Sequence, residues 1–290
     1  MPQHSAKNQT WHLGALVDLM RPRQWIKNSF VFAPLIFSGK FHEADAIGQA
    51  LLAAVLFCVA ASAAYVVNDI RDRKRDRLHP KKSKTRPLAA GLIALPAALG
   101  LLAALYLGLI VGWFWAPQVV MVIIGYLVLN VAYSIFLKHQ PVVDIFTIAI
   151  GFVLRVYAGA VAIGVPLSAW MAVTTLCLAL YLAAIKRRQE LLQSGPEGRK
   201  VLERYSVALV DRYAEMSATG ALIFYSMFVM STKPQLVGTI PLVLFGLFRY
   251  WYLVEQLDEG ESPTDAVFAD GTLLLTVLGW AGLCGWLLWY

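Results

Sequence analysis

Asn68, Asp72 and Asp76 stand four residues apart in the run Tyr-Val-Val-Asn-Asp-Ile-Arg-Asp-Arg-Lys-Arg-Asp that begins at Tyr65. On a helix this spacing lines three oxygen-bearing side chains along one face, with Asp69 beside them. Oxygen-only ligands suit Mg²⁺, which keeps several waters and shares its coordination with substrate phosphates. Lys81, Lys82, Lys84 and Arg86 follow at once, and such a cluster would grip phosphate oxygens across from a bound metal. The combination suits a metal-bound polyphosphate. Two plainer readings compete: a solvated helix end salt-bridged to Arg71, Arg73, Arg75 and Arg77, and basic residues that merely set membrane topology. The block lies between two long apolar runs. An enzyme acting on a lipid with a phosphate-bearing co-substrate fits that placement.

Three further groups carry charge where it is unexpected. Tyr133-Ser-Ile-Phe-Leu-Lys138-His139 precedes Asp144 and Arg155. Arg155 falls inside an apolar run, about three helical turns after Asp144. Ionisable groups at membrane depth are costly and usually face a polar cavity or a partner. Arg155 is therefore expected to face substrate, and the separation disfavours a direct pair with Asp144 on one straight helix. Near the start, Arg21-Pro-Arg-Gln-Trp-Ile-Lys27-Asn28 opens the first apolar run. Lys27 is placed to enter a cavity mouth, whereas Arg21 and Arg23 read equally well as headgroup contacts. Lys186, Arg187 and Arg188, beside Glu190, are candidates for holding a second anionic substrate or for snorkelling anchors. Cys58, Cys177 and Cys284 lie in apolar runs without metal-ligand spacing and read as packing residues. His79 and His139 sit in charged loops, and the five histidines form no paired motif.

The elements that must position these residues are membrane helices. The 290 residues are 59% hydrophobic and 15% charged, with mean hydropathy +0.62, against about 25% charged in soluble domains. Apolar runs recur near the ~20 residues that cross a bilayer as a helix, and they lack the alternation of a membrane β-barrel. The predicted fold is all-α: a polytopic bundle of nine spans near 26–44, 47–68, 88–112, 117–137, 142–163, 168–186, 214–232, 236–254 and 271–290. The first is the weakest, interrupted by Pro34, Gly39 and Lys40. Residues 1–290 read as one domain, with 1–20 an interfacial amphipathic segment rather than a signal peptide. With a cytoplasmic N-terminus, all of the 25 Lys and Arg residues except Lys40, Lys233 and Arg155 fall on the inner side, as the positive-inside rule requires. This places a multi-pass protein in the cytoplasmic membrane with its charged cavity facing the cytoplasm. The net charge of +7 thus reads as topology and an anion site; no separate basic domain suggests nucleic acid. Trp25, Trp113, Trp115, Trp170, Trp251, Trp289 and Tyr290 fit interfacial anchors. Charged loops follow the second and sixth spans, suggesting two similar halves, and a homo-oligomer is compatible with the sequence.

These residues resemble the UbiA-type intramembrane prenyltransferase superfamily, whose first motif, Asn-x-x-x-Asp-x-x-x-Asp after the second span, matches Asn68, Asp72 and Asp76. Within it the closer resemblance is to the decaprenyl-phosphate phosphoribosyltransferases. It rests on Arg-Pro-Arg-Gln-Trp-x-Lys-Asn at 21–28, Tyr-x-x-Asn-Asp-x-x-Asp at 65–72 and His-Pro with basic residues then Arg-Pro-x-Ala-x-Gly across 79–91. Tyr-x-x-x-Leu-Lys-His-Gln at 133–140 adds to it. The basic segment 81–86 is one residue longer than that group's usual spacing. Superfamily members that use prenyl diphosphates typically have a second aspartate-rich motif on the fifth or sixth span. Here Asp144 is followed at i+4 by Ile148, and Lys138 and Arg155 supply positive charge instead.

The resemblance implies nine spans around a cytoplasm-facing cavity. It also implies 5-phospho-α-D-ribose 1-diphosphate as donor, a long polyprenyl phosphate as acceptor, and a product feeding the arabinose donor of the cell envelope. Mg²⁺ would be held by Asn68 and Asp72 with Asp76 assisting and Asp69 adjacent. Lys27, Tyr65, Lys82, Lys84 and Arg86 would hold donor phosphates, and Tyr133, Lys138, Arg155, Lys186 and Arg188 would orient the two substrates. A superfamily member prenylating a quinone or haem precursor is the main rival and would need the missing acidic motif. A polyprenyl-phosphate carrier would explain Arg155 but not the clustered acids.

Overall fold

The computed structural model describes residues 13–78, 82–194, 201–256 and 263–289. Residues 1–12, His79, Lys81 and Tyr290 lie outside them, as does the side chain of Lys82. Among the described residues there is no strand; the chain is helical throughout. Helix α1 covers Leu13–Met20, α2 Ala33–Ser38, α3 Ala44–Leu78, α4 Lys82–Thr85, α5 Leu95–Trp113 and α6 Pro117–Ile135. Then come α7 Val143–Ala162, α8 Ala169–Ser194, α9 Val207–Thr232, α10 Ile240–Gln256, α11 Pro263–Ala269 and α12 Gly271–Leu287.

Six stretches are long and apolar enough to cross a bilayer: α3, α5, α6, α7, Ala169–Gln193 and Pro234–Glu255; α12 is a shorter apolar helix. The expected first span, 26–44, is not one α-helix. Pro22–Phe32 winds as 3₁₀-helix and passes into the short α2, which ends at Gly39. Proline stands at the start of each piece, where its missing N–H is harmless. The 3₁₀ stretch lies against α3 and α7. There the Val31 carbonyl comes so near Gly159 that a Cβ would sit 1.9 Å from its oxygen, so only glycine permits the approach.

The axis of the N-terminal half is α3. Its alanines 50, 53, 54, 60, 61, 63 and 64 are buried, and small residues let α5, α6 and α7 pack closely against it. At 35 residues it is about 52 Å long, well beyond a hydrocarbon layer of about 30 Å. Its last turns, from Asp69 on, therefore project past the apolar zone. The amphipathic α1 folds onto this end, burying Ala15 and Leu19 against Ala63, Val66 and Leu88. In the C-terminal half α8 and α9 form an extensively packed pair, with Tyr181, Ile185, Val210, Tyr250 and Leu253 in their core. Side-chain oxygens cap two helices, Ser206 receiving the Leu209 N–H on α9 and Asp270 the Leu273 N–H on α12.

Candidate active site

The projecting end of α3 meets the C-terminus of α6 directly: Ser134 Oγ donates to Asn68 Oδ1 at 2.7 Å. One residue earlier, the Tyr133 hydroxyl accepts from Arg187 on α8 at 3.1 Å. These two contacts bring the ends of α3, α6 and α8 to one end of the bundle.

On α3 the acids differ in surroundings. Asp69 is 3% exposed. Its Oδ1 takes Arg86 at 2.5 Å and also pairs with Arg21, while its buried Oδ2 has no hydrogen-bond partner among the described residues. Asp72 is half-buried and Asp76 is buried. The Arg21 guanidinium also stacks over the Tyr65 ring at 4.7 Å. The sequence leaves Arg21 open between the cavity mouth and lipid headgroups; the structure pairs it with Asp69. Arg21 adopts left-handed backbone, φ 55° and ψ 62°, as the chain swings from α1 into the 3₁₀ stretch. Of the basic cluster, Arg86 reaches the acids and Lys84 is exposed.

These residues fit an oxygen-preferring divalent cation. The donors are one amide and three carboxylates, and one buried carboxylate oxygen is left without a proton donor. Among the described residues no group of three or more His, Cys, Asp or Glu side chains is gathered as a ready metal cage. Substrate oxygens and water would have to complete the shell, as is usual for Mg²⁺.

Arg155 is 5% exposed and its nitrogens are occupied by protein. Nε donates to Asn28 Oδ1 at 2.8 Å, one terminal nitrogen to the Gly151 carbonyl at 2.7 Å and the other to the Tyr126 hydroxyl at 3.1 Å. Phe57, Tyr126 and Phe152 surround the guanidinium with ring centroids at 4.8 to 5.6 Å. Arg155 thus braces Asn28, the neighbour of the half-buried Lys27, and its side chain is directed to protein groups rather than left open to a ligand. Trp25, expected at the interface, donates to Ser62 on α3 at 3.0 Å.

The second charged cluster surrounds Asp144, fully buried at 0% exposure. Its oxygens accept from Arg187 Nε and from the Tyr205 hydroxyl, each at 2.7 Å. Arg187, 1% exposed, also donates to Glu190 at 2.6 Å. Arg188 donates to Asp211 at 2.9 Å and Glu255 at 2.5 Å. Lys186 is exposed and Lys138 half-buried. Arg187 and Arg188 therefore turn inward to carboxylates and do not snorkel. Tyr205 and Asp211 were not legible as partners, because their contacts lie 61 and 23 residues away along the chain.

The model of the UbiA prenyltransferase family matches residues 30–269. The chain belongs to that family. Among curated relatives of this UbiA-family chain, the decaprenyl-phosphate phosphoribosyltransferase of Mycolicibacterium smegmatis is 33% identical, covering 94% of this chain and 92% of the relative. The protein of the same name from Corynebacterium glutamicum is 35% identical over 91% of this chain and 84% of the relative. A UbiA homologue from Archaeoglobus fulgidus, solved with DMAPP and Mg²⁺, superposes with a TM-score of 0.71 at 18% identity, covering 94% of this chain and 99% of that one. That likeness concerns the fold. Family and spans together make this UbiA-type transferase a multi-pass membrane protein.

Proposed function

We propose that the chain is a single-domain phosphoribosyltransferase of the cytoplasmic membrane. It moves 5-phosphoribose from 5-phospho-α-D-ribose 1-diphosphate to a polyprenyl phosphate of the decaprenyl type and releases diphosphate. The active site faces the cytoplasm, and the product serves arabinose-donor synthesis for the cell envelope. The observation that carries this reading is the asymmetry of the two charged clusters. Among the described residues, the α3 end alone combines a buried carboxylate oxygen lacking a donor with flanking arginines, which supports a single metal–diphosphate site. A prenyl transfer built on two aspartate-rich motifs would need acids at the second cluster that are not already bound to arginine.

Asn68 and Asp72, with Asp76, would hold Mg²⁺, which when bound offsets the charge gathering on a leaving diphosphate. Arg86 and Arg21, already beside Asp69, are placed to take terminal phosphate oxygens. Lys27, Tyr65 and Lys84 would extend that anion-binding cradle, and the family resemblance assigns Lys82 to it as well. The bond from ribose C1 to the diphosphate oxygen breaks with its electron pair leaving on diphosphate, and a lipid phosphate oxygen bonds to C1 from the opposite face, inverting it. That oxygen is already ionised at neutral pH, so no general base is required. Lys138 and Tyr133 orient the lipid phosphate and donor together. Arg155 and Arg188 support this from behind: Arg155 holds Asn28, and Arg188 ties α8 to α9 and α10; the exposed Lys186 would face the acceptor phosphate.

Membranes containing the protein, given Mg²⁺, ring-labelled phosphoribosyl diphosphate and polyprenyl phosphates of several lengths, should form a labelled, acid-sensitive lipid. Consumption of an isoprenoid diphosphate with no label entering lipid would overturn this reading in favour of prenyl transfer.

A further inference from the structure

The turn that joins α6 to α7 is held in a shape it would not adopt alone. Val142 has φ 67° and ψ −49°, and the Val143 N–H donates to the Pro141 carbonyl at 2.8 Å. Together these describe the rare, strained form of γ-turn. Positive φ is an outlier for a β-branched residue, and such strain persists only where the surroundings over-determine it.

Here the surroundings converge on Tyr205. Its hydroxyl accepts the Val142 N–H at 2.6 Å and donates to Asp144 Oδ1 at 2.7 Å. One oxygen thus grips both the strained residue and the first-turn acid of α7. Burial, with the bond to Asp144, pushes the phenol well above its ordinary range, so it remains a proton donor to the carboxylate. The other Asp144 oxygen is taken by Arg187, which also donates to Tyr133. The short connection from Phe136 to Val142, which includes Lys138, is therefore pinned on its α6 side through Tyr133 and on its α7 side through Tyr205. Tyr133 is next to Ser134, which bonds Asn68, so the pinned turn is in register with the acid row of α3.

We propose that Tyr205 is a positioning residue: it latches Val142 in the γ-turn and so fixes where Lys138 stands relative to the α3 acids. Tyr205 touches no reacting atom and works through Val142. The consequence for catalysis rests on the phosphoribosyl-transfer reading; the latch itself does not.

Tyr205→Phe keeps the ring among Val201, Leu202 and Val210 and deletes only the hydroxyl. It should raise KM for phosphoribosyl diphosphate about tenfold with kcat within about twofold, the signature of lost uniform binding. Glycine reaches positive φ without steric cost, so adding Val142→Gly to Tyr205→Phe should return KM to within about threefold of wild type. A Tyr205 that merely steadied Asp144 and Arg187 would show no such rescue. Hydrogen exchange resolved at the Val143 amide, measured without substrate, should speed up in Tyr205→Phe and slow again in the double variant. A double variant no better than Tyr205→Phe, or Val143 exchange unchanged by Tyr205→Phe, overturns the latch. If wild-type protein transferred no phosphoribose, the proposed reaction would fail while the exchange measurement still decided the latch.

Discussion

The ends of α3 and α8 bear the two densest charge clusters described, and they settle their charge in opposite ways. At α8 nearly every ion has its counter-ion within the protein: Arg187 with Asp144 and Glu190, Arg188 with Asp211 and Glu255. At α3 the acid Asp69 draws two arginines to one oxygen and leaves the other buried without a donor. A buried carboxylate oxygen left without a donor is costly even when its partner oxygen is paired, and on the proposed reading a bound ligand offsets that cost. The α8 cluster ties its helix to α7, α9 and α10, and the α3 cluster is the ligand seat of the proposed function.

That contrast can be broken most directly at Asp72. Asp72→Ala should cut phosphoribosyl transfer by about a thousandfold while thermal stability in detergent stays unchanged. Full activity with saturating Mg²⁺ would remove the metal assignment. At the other cluster, Asp144→Ala strands a buried arginine and should cost about 3–5 kcal/mol of stability, read as a large fall in the melting midpoint. A loss under 1 kcal/mol would mean that cluster is not structural. Arg155→Ala lies between the two. It deprives Asn28 and Tyr126 of a buried donor, so turnover should drop together with about 2 kcal/mol of stability; a turnover defect with an unchanged melting profile would instead show direct contact with substrate.

The smallest effect is expected at Asp270. Hydrogen bonds from Arg249, reinforced by the Leu273 N–H, hold its carboxyl below the usual carboxylate range. A depressed folded-state value means its contribution is complete above the ordinary Asp value of about 3.9 and is lost as pH falls through the folded value. Exchange at the start of α12 should accelerate in that acid window, and Asp270→Ala should remove the pH dependence together with about 1 kcal/mol of capping.

The acid row was legible because its signal is local: Asn68, Asp72 and Asp76 share a helix face whatever surrounds them. The same holds for most spans, which announce themselves by length and apolarity. The first expected span, 26–44, reads as the weakest because Pro34, Gly39 and Lys40 interrupt it; its 3₁₀ winding is not legible, because the close approach of Val31 to Gly159 joins residues far apart in sequence. Arg155 was recognisable as a buried charge, yet nothing near it in the chain names Asn28 as its partner. For the same reason Arg187 reads as a substrate-holding or snorkelling residue, although Asp144, Glu190 and Tyr133 bind it within the protein. Arg21 reads equally well as a headgroup contact in the sequence; its pairing with Asp69, 48 residues away, decides between the two.

The length of α3 has a consequence for how two dissimilar molecules can meet. Because the last ten residues of one unbroken rod, Asp69–Leu78, reach about 15 Å past its apolar part, the proposed sugar donor can be received at the bilayer's edge without shedding its hydration into oil. On the same proposal, the isoprenoid tail of the acceptor would stay immersed alongside that rod, so that only its head rises to the encounter.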